Sequence, residues 1–307
     1  MTSSKAYSGV FPIAPTPFHP NGDLDLDGQR RVLDCMVDQG VDGICILANY
    51  SEQFALSDAE RETLLKLCTT HIAGRVPVIV TCSHYSTRIV IERARAAEAA
   101  GAAMLMLMPP YHGALLKPGE EGVYEHFAQV AEAITIPIMV QDAPLSGVQL
   151  SVPFLARLAR EIPQVGYLKV ETANAAAKLR ALIAAGGEHI PGPFDGEESI
   201  TLMADLEAGA TGTMPSALIP DLIGPVVRDY LAGRHDEAAA QYNRILPLIN
   251  YENRQCNLRA TKAAMLEGGV IGSDAVRHPF APRGDAERAG LLAQLRPLDP
   301  VVLRWGK

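Results

Sequence analysis

The sequence lacks the long apolar runs and the cysteine patterns that define several classes of protein. It contains no stretch of about 18 consecutive apolar residues, so no transmembrane helix is predicted. The five cysteines are never spaced as C-x-x-C, which argues against a disulfide framework and against a zinc site. The segment Met1–Lys5 lacks the apolar core of a signal peptide. We therefore expect reduced thiols, a cytoplasmic protein and no membrane partner.

Positive charge is also scarce. The 27 lysines and arginines are outnumbered by 35 acidic residues, which gives a formal net charge of -8. Acidic and basic residues are interspersed, and no basic stripe occurs that would neutralise the phosphates of a nucleic acid. Nucleic-acid binding is therefore not expected, and a small molecule is the predicted ligand.

Short apolar runs alternate with longer amphipathic segments along most of the chain, which is typical of βα units around a parallel sheet. The predicted strands are Val10–Ala14, Gly43–Leu47, Pro77–Thr81, Met104–Met108, Pro137–Gln141, Gly166–Lys169, His189–Gly192 and Thr211–Met214. Apolar residues recur at helical spacing in the segments between them. The predicted helices are Asp27–Gln39, Asp58–Ile72, Ser86–Ala99, Gly119–Ala133, Val152–Arg160, Ala173–Ala184, Glu198–Leu206 and Ile219–Leu231.

Eight consecutive βα units predict an α/β fold, a (β/α)8 TIM barrel over residues 1–234, because closure removes the edges of the sheet. The alternative is an open doubly wound sheet. That fold would normally carry a Gly-rich turn after its first strand, where this chain has Pro15–Phe18. Residues 235–307 read as a helical extension packed on the barrel, because no linker separates them. Its predicted helices are Asp236–Ile249, Glu252–Glu267 and Asp285–Leu295.

A lysine and a glutamate stand two residues apart at the end of the predicted sixth strand. Side chains alternate along a strand, so Lys169 and Glu171 are expected to share one face. A barrel interior would lower the pKa of the lysine, as an imine-forming amine requires, whereas pairing with the glutamate would raise it. The alternative is an ordinary surface ion pair.

Polar residues also follow the other predicted strands, where barrel enzymes place their active sites. The candidate substrate-binding residues are Asn49, Tyr50, Ser51, His84, Tyr111, Gln141, Asp195 and Gly196. Consecutive amides and hydroxyls at 49–51 suit a carboxylate, although an ordinary turn explains them equally well. Ser57 and Glu60 are assigned to a capping box of the next helix.

Structural alternatives exist for several of these residues. Ser86 is predicted to cap a helix, which leaves His84 as either a loop histidine or a site residue. Tyr111 lies beside His112 in a proline-rigidified loop and is either a proton donor or a packing residue. The amide of Gln141 cannot act as an acid or base, and Asp195 either binds substrate hydroxyls or favours the next helix N-terminus.

Four segments together resemble the dihydrodipicolinate synthase/N-acetylneuraminate lyase superfamily. These segments are Ala14–Phe18, the Ser51–Glu52 turn, Met108–Tyr111 and Leu168–Thr172. The resemblance spans about residues 8–230 and implies an imine-forming (β/α)8 enzyme, usually tetrameric, that acts on pyruvate or another 2-keto acid. Lys169 matches the Schiff-base lysine of the superfamily, so the resemblance implies a covalent imine with no other cofactor and no metal.

Two differences from the superfamily pattern narrow the range of reactions that the resemblance implies. Ala48–Glu52 stands where the superfamily usually has Gly-Thr-Thr-Gly-Glu, and Gln141 replaces the proton-relaying tyrosine. Longer motifs resemble one dehydratase branch: Ile46–Phe54, Thr81–Ser86, Val140–Pro144, Lys169–Glu171, Asp195–Glu198 and Asn253–Gln255.

That branch implies dehydration of L-2-keto-3-deoxyarabonate to 2,5-dioxopentanoate, with Lys169 and Glu171 as catalytic residues, in a homotetramer or dimer. A pyruvate-releasing aldolase, a dehydratase for a related 2-keto-3-deoxy sugar acid and a non-catalytic sugar-acid sensor are the alternatives.

Overall fold

A computed structural model describes residues 6–111, 117–143, 146–281 and 284–307. This part of the chain contains eight strands, and those from β3 to β8 pair in parallel. The strands are β1 (Gly9–Val10), β2 (Ile44–Ile46), β3 (Val78–Thr81), β4 (Met104–Leu107), β5 (Ile138–Asp142), β6 (Val165–Val170), β7 (Gly192–Asp195) and β8 (Gly212–Thr213).

The helices of the described residues alternate with these strands and then continue alone towards the carboxyl terminus. They are α1 (Leu26–Asp38), α2 (Asp58–Ile72), α3 (Thr87–Ala99), α4 (Glu120–Glu132), α5 (Val152–Glu161), α6 (Ala175–Gly186), α7 (Leu202–Glu207), α8 (Pro220–Leu231), α9 (His235–Tyr251), α10 (Arg259–Glu267) and α11 (Asp285–Leu295). Helices therefore follow the eighth βα unit, as predicted. Among the described residues, no helix is both long and apolar enough to cross a bilayer.

The strand order in the sheet is β1-β8-β7-β6-β5-β4-β3-β2. Ile13, just beyond β1, forms parallel bridges with Cys45 of β2 and with Ser216 beyond β8. The segment that continues β1, at one end of the order, thus also pairs with β2, at the other end. This pattern fits the predicted (β/α)8 class. Every residue of β3, β4 and β5 is buried, which explains why the strands read as continuous apolar runs.

Most predicted helix ends are confirmed within two residues. Side-chain caps at Asp25, Ser57 and Ser151 account for the starts of α1, α2 and α5. Ser57 and Glu60 form the predicted capping box at α2, with the Ser57 N–H donating to Glu60 Oε2 at 2.8 Å. Ser86 occupies the N-cap position of α3, as predicted, but its hydroxyl makes no capping hydrogen bond. Its backbone N–H donates instead to Nδ1 of His84 at 3.0 Å.

The predicted seventh strand, His189–Gly192, is wrong in all but its last residue. His189 lies in a 3₁₀ turn, and the strand begins at Gly192 and ends at Asp195. Pairing with β6 sets this position, because Gly192 lies opposite Tyr167 and Asp195 lies opposite Val170. The local sequence contained no sign of that register.

Two predicted helices are interrupted by residues in the left-handed region of backbone space. Glu197, Glu198 and Ser199 have φ values of 49°, 54° and 67°, so α7 begins only at Leu202. The predicted helix Glu252–Glu267 is likewise two elements. A π-helical turn ends at Cys256, Asn257 has a φ of 54°, and α10 starts at Arg259. Charge and apolar spacing do not reveal such breaks.

The chain divides into two compact units. The first contains Met1–Gly9, Ile79–Glu197 and Thr201–Thr213, and the second contains Val10–Val78, Glu198–Ile200 and Met214–Lys307. Lys169 and Glu171 belong to the first unit, whereas the turn at 49–51 and helices α8–α11 belong to the second.

Candidate active site

The predicted lysine and glutamate meet at the end of β6. Lys169 Nζ and Glu171 Oε1 form a salt bridge, and the two side chains are only 4% and 15% exposed. The two-residue spacing brings them to one side, as strand alternation predicts. The surface-pair interpretation is therefore wrong. A buried amine that can pass a proton to an adjacent carboxylate is suited to nucleophilic attack on a carbonyl.

Gln141 completes a three-residue group with this pair. It lies opposite Lys169 in the β5–β6 register, and its Nε2 donates to Glu171 Oε1 at 3.0 Å. One carboxylate oxygen thus accepts from both the ammonium and the amide. Gln141 Oε1 is buried and accepts no hydrogen bond from the described residues. A buried acceptor of this kind is suited to a hydroxyl group of a ligand.

Gly196 makes room for the carboxylate. A Cβ atom at this position would overlap Cγ of Glu171 and lie 3.0 Å from the backbone oxygen of Val170. Any larger residue at 196 would displace the glutamate. The structure thus brings four of the predicted residues together: Lys169, Glu171, Gln141 and Gly196.

Asp195 points towards a second acid. It is fully buried, accepts a hydrogen bond from the hydroxyl of Thr213 and lies beside Asp205 of α7. Burial and the neighbouring acid both raise the pKa of Asp195 well above its ordinary range. Thr201 donates to Asp205 at 2.6 Å. The sequence-based prediction that Asp195 binds substrate therefore concerns a carboxyl group that is already engaged within the protein.

The backbone of Glu171 is anchored by the end of β5. Its N–H donates to the carbonyl oxygen of Asp142 at 3.0 Å. The side chain of Asp142 forms an ion pair with Lys178 of α6 at 2.5 Å, and Lys178 also donates to the Leu150 oxygen at 2.6 Å. Burial raises the pKa of Asp142, and the lysine opposes that shift.

The turn Asn49–Ser51 lies in the second unit and is a single 3₁₀ turn. The Ser51 hydroxyl donates to the Ala14 oxygen at 2.6 Å and accepts from the Ala48 N–H at 3.1 Å. The side-chain oxygen of Asn49 accepts from Gln53 at 2.6 Å. These bonds fix the shape of the turn, and Tyr50 within it is partly exposed.

Two further predicted residues, His84 and Tyr111, lie in loops of the first unit. His84 Nδ1 accepts the N–H of Ser86, which places the proton of a neutral imidazole on Nε2. Tyr111 is partly buried, and burial raises the pKa of its phenol. His112 lies outside the described residues.

Sequence reasoning missed two buried charged groups. Asp205 lies in α7 with its side chain fully buried, and Lys262 lies in α10 and pairs with Glu52. The signal was a charged residue among buried apolar neighbours, such as Lys262 between Ala260 and Ala264. Among the described residues, no group of three His, Cys, Asp or Glu side chains is arranged to hold a metal ion.

The sequence pattern of the dihydrodipicolinate synthetase family matches residues 6–297. The chain belongs to this family. It is 56% identical over 307 residues to the L-2-keto-3-deoxyarabonate dehydratase of Azospirillum brasilense, with 99% of each chain covered. It is 32% identical over 296 residues to a 4-hydroxy-tetrahydrodipicolinate synthase of Sorangium cellulosum, which covers 95% of this chain and 96% of the relative.

Comparison with a solved structure supports membership of the same family. The dihydrodipicolinate synthase of Rhodopseudomonas palustris superposes with a TM-score of 0.86 at 30% identity, covering 94% of this chain and 97% of the other. The resemblance stated from sequence is therefore confirmed at the level of the family.

Proposed function

We propose that this protein is a Schiff-base-forming hydro-lyase that dehydrates L-2-keto-3-deoxyarabonate to 2,5-dioxopentanoate. The observation that carries the proposal is the buried group of Lys169, Glu171 and Gln141, in which an amine and a non-ionisable amide both contact one carboxylate oxygen. The 56% identity to a dehydratase with that substrate in its name supports the choice among the reactions of the family.

Imine formation begins at Lys169. Its amine, after passing a proton to Glu171, attacks the C2 ketone, and the carbonyl oxygen leaves as water. The resulting iminium withdraws electrons from C3 and makes the C3 protons acidic. The burial of Lys169 favours this step, because a dry site disfavours the charged ammonium.

Dehydration then uses Glu171 as general base and general acid. The carboxylate removes a C3 proton, the electrons move into the enamine, and the C4 hydroxyl leaves as water with a proton from the same residue. Gln141 holds the carboxylate oxygen without offering a phenol for aldol chemistry. Loss of a C5 proton and reprotonation at C3 give an enol, which becomes the aldehyde, and hydrolysis frees Lys169.

Substrate contacts are proposed for the remaining predicted residues. The Asn49–Ser51 turn would hold the carboxylate, and His84, Tyr111 and Gly196 would border the sugar-acid chain. Asp195 would either support the site indirectly, through its hydrogen bond with Thr213, or bind a hydroxyl group of the substrate directly. The scheme uses the covalent imine at Lys169 and no separate cofactor. We also propose a closed barrel with α9–α11 packed on it.

The proposal is tested by adding a 2-keto acid and borohydride and measuring the protein mass. We expect one covalent adduct at Lys169 and none in Lys169→Ala, with turnover lost in that variant. Turnover retained by Lys169→Ala would overturn the imine mechanism. Product analysis separates the alternatives, since 2,5-dioxopentanoate indicates dehydration and pyruvate indicates aldol cleavage. Ligand binding without either product would indicate a sensor.

The assembly and compartment are proposals as well. We propose a cytoplasmic homotetramer or homodimer, as the family resemblance implies. Sedimentation velocity of the purified protein measures the assembly, and a monomer at all concentrations would contradict it.

A further inference from the structure

Glu52 directly follows the Asn49–Ser51 turn and combines two unfavourable features. Its backbone lies in the left-handed region, with φ 58° and ψ 39°, where a residue with a Cβ atom is strained. Its carboxylate is completely buried. Such a residue persists only where the surrounding structure holds it in place.

Lys262 of α10 provides one part of that support. Its Nζ forms a salt bridge with Glu52 Oε1 and donates to the Ala275 oxygen at 2.9 Å. The ammonium also lies 4.4 Å from the centre of the Phe18 ring, a cation–π contact. The Lys262 side chain is 1% exposed, so its charge is shielded from water on all sides.

Arg277 holds the second carboxylate oxygen. Its backbone N–H donates to Glu52 Oε2 at 2.8 Å, and its guanidinium donates to the Ala55 oxygen and to Glu60, both at 2.8 Å. Both oxygens of Glu52 are therefore tied to residues more than 200 positions away in sequence. The glutamate cannot turn without breaking a buried hydrogen bond.

Stability alone does not explain this arrangement. Buried ion pairs contribute little beyond what apolar residues of similar volume would contribute. Burial lowers the pKa of Lys262, and the neighbouring Glu52 opposes that shift. What the pair does impose is geometry. It fixes Glu52, the residue directly after Ser51. The backbone oxygen of Ser51 in turn accepts a hydrogen bond from the Thr16 hydroxyl at 2.8 Å.

We propose that Lys262 is a positioning residue, which acts through Glu52 to hold the Asn49–Ser51 turn in the shape that receives the substrate carboxylate. This inference rests on the proposed function, in which that turn binds the carboxylate. It gives helix α10 of the carboxyl-terminal region a part in substrate recognition. Loss of the pair should weaken recognition of the carboxylate and leave the imine chemistry of Lys169 intact.

The test uses the full-length Glu52→Gln/Lys262→Met double variant, which removes both charges and leaves no unpaired ion buried. The single variant Glu52→Gln is tested in parallel. Lys66→Met, which removes a lysine from an exposed ion pair, is the matched control. Each protein is incubated with cyanoborohydride and either pyruvate or hydroxyacetone, a ketone without a carboxylate. The adduct at Lys169 is followed over time by mass spectrometry.

We expect the double variant to form the pyruvate adduct about tenfold more slowly or worse, and the hydroxyacetone adduct within about twofold of the unmodified rate. KM for the sugar acid should rise more than kcat falls. Equal losses with both ketones, or no loss with pyruvate, would overturn the inference. Circular dichroism checks folding, and Glu52→Gln decides by the same comparison if the double variant does not fold. Absence of any adduct in the unmodified protein overturns the proposed function itself, and this inference with it.

Discussion

Gly196 and Glu171 occupy adjoining space, such that a Cβ atom at position 196 would overlap the Cγ atom of the glutamate. The glycine directly follows β7, and the glutamate directly follows β6. The size of one residue therefore sets the position of the other's carboxylate.

Gly196→Ala should displace Glu171 while leaving Lys169 able to form an imine. A shift of about 1 Å in a catalytic group costs about a hundredfold in rate, so we expect dehydration to fall by that order while the borohydride adduct still forms. Gly272→Ala is the matched control, since a Cβ atom there meets nothing within 4 Å. Normal dehydration by a folded Gly196→Ala protein would show that the carboxylate position is not critical.

Glu171→Gln should separate the imine step from dehydration. The amide keeps the size of the side chain but cannot accept a proton, so dehydration should fall by about a hundredfold or more. The Lys169 adduct should still form, because the amine can lose its proton to water instead. Single-turnover assays of adduct and product measure both steps. Glu92→Gln, on an exposed helix face, provides the control. Unchanged dehydration would remove Glu171 from its proposed role.

Lys178→Met should destabilise the protein, because it leaves the buried carboxyl group of Asp142 without its partner. Breaking a buried pair costs about 3–5 kcal/mol, whereas breaking the exposed pair of Lys66 and Glu62 should change the free energy of unfolding far less. Urea unfolding of Lys178→Met and Lys66→Met compares the two. The double variant Asp142→Asn/Lys178→Met should regain part of the loss. Equal small effects of both lysine substitutions would contradict the prediction.

The buried carboxyl group of Glu252 should make the stability of the protein depend on pH. Burial raises its pKa from an ordinary 4.5 to about 8, although a hydrogen bond from Ser216 opposes the shift. The folded protein favours the neutral acid, so its contribution to stability is complete below about pH 4.5 and is lost as the pH rises through about 8.

Glu252→Gln does not titrate, so its free energy of unfolding relative to the unmodified protein should increase by about 3 kcal/mol between pH 5 and pH 8. Urea unfolding at several pH values measures this difference. A difference that stays constant with pH would show that Glu252 is charged in the folded protein throughout this range.

Sequence patterns were sufficient for the parts of the structure that are governed by local rules. Alternation along β6 placed Lys169 and Glu171 on one side, and the Ser57–Glu60 spacing located the start of α2. The predicted first strand, Val10–Ala14, shares only Val10 with the observed β1, and the seventh is displaced as well. The other predicted strands coincide in position with the observed ones, because a buried parallel strand is a continuous apolar run. The motifs around Lys169 also indicated the family that residues 6–297 match.

Other features depended on pairing between distant segments. The register of β7 is set by β6, and neither Pro191 nor Pro193 predicts it. The positions of β2 to β6 and of β8, by contrast, required only the apolar pattern of each segment.

The sequence by itself determined the βα alternation, the buried lysine and the acid beside it, because those follow from short-range periodicity. Only the tertiary structure decided that Gln141 donates to Glu171, that Gly196 borders it and that Lys262 holds Glu52. These contacts join residues 25 to 210 positions apart, and contacts over such separations depend on how the strands and helices pack.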